Sequence, residues 1–124
     1  LTPGLNAMAN ASLAVGAQWR IMPDWLRVLS MVHEFGHRFG FEAGNLEASE
    51  EWKKLSLNES GTEVDPAKAA SVYGQKNAAE DFAESFAAYR LASKRFKAEH
   101  PEKYEFMKTR MFDGVEYLDS ANCN

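Results

Sequence analysis

The chain has 124 residues, 45% hydrophobic and 26% charged, an ordinary balance for one globular domain with a modest core. A formal net charge of −4 without a basic stripe argues against a nucleic-acid partner, and no apolar run reaches the length of a membrane span. The single cysteine, Cys123, excludes an intrachain disulfide.

The opening Leu1-Thr2-Pro3-Gly4 carries neither a methionine nor a signal-peptide pattern. That is expected of one domain, residues 1–124, excised from a longer protein with other domains. The compartment is not readable from it. Leu13, Val15, Ala17, Trp19 and Ile21 alternate with small or polar residues, the period of a half-buried strand whose edge can bind extended peptide. Met22-Pro23-Asp24 breaks that pattern, and Asp24 is suited to N-cap a helix from about Trp25 to Phe39. Trp25, Leu29, Val32, Gly36 and Phe39 are spaced to face the core, Phe35 also reads as core, Arg38 as solvent-facing, and Gly40 as the residue ending the helix.

This helix carries His33-Glu34-Phe35-Gly36-His37, an H-E-x-x-H motif. The i, i+4 spacing puts both imidazoles on one face, where they can share one ion, with Glu34 beside them to act on a metal-bound water. Their place near the helix C-terminus, the negative end of its dipole, favours a cation.

Further on, Glu47 to about Leu57 reads as a helix with Trp52 and Leu55 inward, Asn58–Glu63 as a polar turn, and Asp65-Pro66 as the start of a helical turn. Ser71–Gly74 reads as extended or irregular. A helix from Ala78 to about Lys97, capped by Asn77, places Glu80 and Glu84 on one face and Phe82, Phe86 and Tyr89 on another. Ala79, Ala83 and Ala87 form a small-residue stripe that permits close packing, and Arg90, Lys94, Arg95 and Lys97 read as the helix's solvated end. A last helix from Pro101 turns Tyr104, Met107 and Met111 inward and stops near Asp113-Gly114.

A catalytic zinc needs a third protein ligand. A third histidine after the motif is excluded, because its position holds Ala43. His100 precedes Pro101 in a charged linker, and Glu42 is too close to the helix end to fold back. Glu80, Asp81 and Glu84 stay as rivals, and Asn77-x-x-Glu80 also fits a capping box.

H-E-F-G-H followed by S-V-Y-G-Q-K-N-A-A-E-D-F-A-E-S-F-A-A-Y resembles the zinc-binding core of the family of anthrax lethal factor and the Pro-Pro endopeptidases, over roughly residues 25–112. The resemblance extends to metallopeptidases encoded near phage structural genes. Lethal factor and the Pro-Pro endopeptidases are gluzincins, and the likeness to them implies zinc bound by His33, His37 and Glu80, with Glu34 as general base. It further implies that Tyr73 stabilises the oxyanion and that Glu84 orients a histidine ligand. Asp81 departs from it, standing where the family commonly has an aromatic residue.

The expected fold is therefore α+β and predominantly helical, a zincin-like domain with an active-site helix, a glutamate helix and a small edge strand. The expected activity is zinc-dependent cleavage of a peptide or protein substrate. The rival expectation is a zinc-holding structural or assembly module of a phage or toxin protein. Retention of Glu34 argues against it, since a structural site needs four ligands and no base.

Overall fold

In the computed structural model, which describes residues 21–118, five α-helices succeed one another: α1 (Asp24–Glu42), α2 (Glu50–Ser56), α3 (Ala78–Leu91), α4 (Ser93–Glu99) and α5 (Pro101–Arg110). Two 3-10 turns, Leu46–Ala48 and Tyr73–Lys76, connect them. Among the described residues the architecture is predominantly helical, and β pairing is confined to an isolated antiparallel bridge between Leu57 and Val64. The expected strand lies outside the described residues except for Ile21, which sits exposed in a turn. The small sheet of the expected α+β class thus has no counterpart among them.

Helix α3 is the axis of the fold. Every residue from Glu80 to Ala87 is buried, because α1, α2, α4, α5 and both 3-10 turns pack around it. Phe82 and Tyr89 are fully buried and join Trp52, Tyr104, Phe106 and Met107 in one core. Trp52 meets Phe82 edge-on at 5.2 Å, and its indole N–H donates to the Ala78 carbonyl at 2.9 Å, so its polar end is satisfied. Each such ring contributes about 1.5–3 kcal/mol by leaving water.

The expected start and end of α1 both shift. Pro23 is the N-cap, its carbonyl taking the Leu26 and Arg27 amides, while Asp24 is the first helical residue and pairs with Arg27. The helix runs on through Gly40 to Glu42, and Gly44 (φ 111°) with Asn45 (φ 55°) reverses the chain instead. The expected core face holds at Gly36, which is buried, and at Val32, which packs half-buried against the core, and is corrected at Trp25, Phe35 and Phe39. Leu26, Ser30, His33, Gly36 and Gly40 are buried, whereas Trp25, Val28, Met31, Phe35 and Phe39 are exposed. After Leu26 the inward line is Ser30, His33, Gly36 and Gly40, and at the two glycines α3 lies too close for a larger side chain. A Cβ on Gly36 would stand 3.2 Å from the Ala83 Cα, and one on Gly40 would stand 2.6 Å from Phe82 Cε1.

Beyond α1 the expected helix from Glu47 divides into the Leu46–Ala48 turn and α2. Ser49 is the boundary, its hydroxyl capping the Trp52 amide at 3.1 Å. Asn58 organises the polar turn by accepting from Ser60 and Thr62, and Asp65 accepts the Ala67 amide in a helical turn. Tyr73 opens a 3-10 turn where irregular chain was expected. The long helix expected to Lys97 breaks at Ala92 (φ −143°, ψ 52°), and the restart as α4 buries Phe96 in the core. In α5 Tyr104 and Met107 are fully buried, as their spacing requires. The chain after it returns over α3, where Phe112 stacks on Tyr89 at 4.4 Å.

Candidate metal centre

His33 and His37 project from adjacent turns of α1 toward Glu80, in the first turn of α3. His33 Nε2 lies 3.2 Å from His37 Nε2, and Glu80 Oε1 is 3.2 Å from the former and 2.7 Å from the latter. These three residues form a group that can hold a metal ion. Donor atoms bound to one zinc at about 2.0–2.1 Å in tetrahedral array stand roughly 3.3 Å apart, so the triangle needs little adjustment.

The outer ring nitrogens determine what the inner ones offer. His33 Nδ1 is 2.8 Å from Glu84 Oε2, and His37 Nδ1 is 2.7 Å from Glu47 Oε2. An ionised carboxylate only accepts, so each Nδ1 carries a proton and donates it. In the neutral rings both Nε2 lone pairs therefore converge with Glu80 Oε1 on one point. Three lone pairs so close together repel unless a cation lies between them, which is the requirement of a metal site.

Protons can supply that cation too. Burial alone would push His33 down, but its hydrogen bonds to Glu80 and Glu84 prevail and raise it to about 9. For His37 burial is likewise outweighed, by Glu47 and Glu80, and the ring is raised to about 10. Burial would raise Glu80, yet bonds from both histidines and Tyr73 hold it well below the usual carboxylate range. A metal must therefore displace protons to enter.

Glu34 lies on the open side, its Oε1 3.9 Å from His33 Nε2 and its side chain 44% exposed. Burial raises its pKa above the ordinary carboxylate value, although both imidazoles oppose this. Tyr73 is buried, and its hydroxyl donates to Glu80 Oε2 at 2.7 Å. Burial, then the bond to Glu80, raises the phenol's pKa, so it stays a donor.

The acidic residues near the two histidines separate cleanly by what they face. Asn77 Oδ1 caps the Glu80 amide at 2.9 Å, but the Glu80 carboxylate points at the histidines instead of completing a capping box. Asp81, one residue on, faces the other way. Its Oδ2 accepts from Ser56 at 2.6 Å and from Lys103 at 2.5 Å, and its Oδ1 accepts the Ala70 amide at 2.9 Å. Glu84 reaches His33 through Nδ1, on the far side of the ring. Glu42 pairs with Arg38 on the surface, and His100 lies outside the cluster.

Two contacts escaped the reading of the sequence. Glu47 reads in the sequence as the start of a helix, and its approach to His37 depends on a chain reversal at Gly44 and Asn45 that no helical period reveals. Ser71 donates to Glu84 Oε1 at 2.6 Å and accepts the Gly74 amide at 3.1 Å, joining the Tyr73 turn to the carboxylate behind His33. Its only sequence signal is proximity to Tyr73. No protein-family model, curated protein or solved structure matches this chain.

Proposed function

We propose that residues 1–124 form a single zincin-like domain that acts as a zinc-dependent endopeptidase of the gluzincin type. The observation that carries this reading is the double Nδ1 commitment, which leaves two imidazole Nε2 atoms and Glu80 Oε1 aimed at one point beside the partly exposed Glu34. Two histidines and one carboxylate are a donor set of catalytic zinc, and the fourth position stays available. Zinc, when held there, would supply Lewis acidity and make water acidic enough to deprotonate near neutral pH.

The chain's own groups would do the rest. Glu34, partly exposed and raised in pKa, is suited to take the proton of the attacking water and return it to the leaving amine. Tyr73 would exchange its Glu80 partner for the oxygen of the scissile carbonyl as charge develops there. Glu84 would hold His33 in the tautomer that presents Nε2. The substrate would be a peptide or protein bound in extended form.

A peptide library incubated with purified protein, with and without chelator, tests the activity. Cleavage that needs the metal and is lost in Glu34→Gln is expected. Stoichiometric zinc without cleavage of any peptide would favour the module reading over the enzyme.

A further inference from the structure

We propose that Glu47 is a positioning residue for the metal centre, holding His37 in the orientation and tautomer that present Nε2 to the ion. The inference rests on the metal reading of His33, His37 and Glu80 and adds to it a fourth carboxylate that the motif does not contain.

The geometry is built on both sides of Glu47. Just after α1, Gly44 and Asn45 take consecutive left-handed conformations, and the Gly44 and Asn45 amides both return to the Phe41 carbonyl, at 3.2 and 2.9 Å. Glycine tolerates such a φ and asparagine tolerates it better than most residues, so both residue types suit the reversal. Leu46 then plugs into the core at 4% exposure. On the other flank, the Ser49 hydroxyl donates to the Leu46 carbonyl at 2.7 Å, and the Ala48 amide donates to Asn45 at 3.1 Å. With its backbone pinned before and behind, Glu47 places Oε2 2.7 Å from His37 Nδ1, with side-chain exposures of only 18% and 25%.

The arrangement mirrors Glu84 behind His33, at 2.8 Å. An unsupported imidazole can turn about χ2 and present either nitrogen in either tautomer. An Nδ1–H donated to a carboxylate removes that freedom and makes Nε2 more basic. Its position makes the contact more than a surface ion pair, since it engages the one nitrogen whose proton determines what the other offers.

Zinc affinity of chelator-stripped protein, measured by competition with a chromophoric chelator, tests this, with the visible spectrum of the cobalt-substituted protein as second readout. Glu47→Ala should lower affinity on the order of 10–100-fold and shift the cobalt bands. Glu47→Gln, whose amide oxygen still accepts from Nδ1, should recover much of the loss, and Glu42→Gln on the nearby surface should change neither. Thermal unfolding of the metal-free forms shows whether each variant folds. Should Glu47→Ala fail to fold, Glu47→Asp keeps the charge but falls a methylene short, and it should still bind more weakly. Wild-type affinity and an unchanged spectrum in the folded variant would overturn the role of Glu47 alone. Failure of the wild-type protein to bind zinc would overturn it together with the proposed function.

Discussion

Gly40 and Phe82 touch so closely that a single added carbon has nowhere to go: a Cβ on Gly40 would lie 2.6 Å from Phe82 Cε1 and 2.9 Å from Cζ. Phe82 is fully buried against Trp52 and Phe106, so its ring cannot swing aside. Alanine in a helix interior gains about 1 kcal/mol over glycine from propensity, whereas overpacking a tight core costs about 1–3 kcal/mol. Sterics should prevail here. Gly40→Ala is expected to be less stable in urea unfolding of the metal-free protein, and to bind zinc more weakly because α1 and α3 are pushed apart. A more stable variant would show that the two helices have room to spare.

Glu80 and Asp81 are neighbours with opposite assignments. Asp81→Ala leaves the buried Lys103 ammonium without its counter-ion, a change of about 3–5 kcal/mol in stability. It should spare the candidate ligands and leave zinc affinity nearly unchanged. Glu80→Ala should do the reverse, costing far more in zinc affinity than in metal-free stability. Denaturation curves and chelator competition on both variants decide the order.

The titration of the site sets a pH dependence for the metal-free protein. His33 and His37 are raised to about 9 and 10 in the fold, against about 6.5 unfolded. The stability they contribute is complete below about pH 6.5 and is lost as pH climbs through 9 and 10. Glu80 is depressed, so its contribution is present above about 4.5 and is lost as pH falls toward its lower value. Metal-free protein should therefore unfold at a lower temperature at about pH 10 than at about pH 6. Added zinc should narrow that gap, because protons compete with it less as pH rises. Equal midpoints without metal would mean the histidines keep ordinary pKa values.

Removal of one hydroxyl separates the two contacts proposed for Tyr73. Tyr73→Phe loses the donor to Glu80 Oε2, but Oε1 and both imidazoles are untouched. Zinc should stay bound, while kcat for a cleaved peptide should fall on the order of 10²–10³ if the phenol meets the oxyanion. Full kcat in the phenylalanine variant would confine Tyr73 to bracing Glu80.

Much of the centre was legible because its chemistry is local. The i, i+4 histidines follow from helix geometry, and the Asn77 cap correctly begins the helix that carries Glu80. The choice of Glu80 over Asp81 was not legible from spacing, since the two differ by one residue, and it depends on Lys103 and Ser56 drawing Asp81 away. The face of α1 was legible at Gly36 and Val32 but not at its aromatic residues, because apolar periodicity points large side chains toward the core. Here Gly36 and Gly40 point inward, and Phe35 and Phe39 stay exposed. Gly40 as a helix terminator was the same error, a packing glycine taken for a capping one. Glu47 was hidden because two left-handed residues, not a periodic element, bring it back to His37.

Calorimetric titration of zinc into chelator-stripped wild-type protein, alongside His33→Ala and His37→Ala, reads the centre most directly. A single zinc per wild-type chain is predicted, with binding lost in both variants while each still unfolds cooperatively. No uptake by the wild-type chain, or equal uptake after either histidine is removed, would contradict a metal centre at His33, His37 and Glu80.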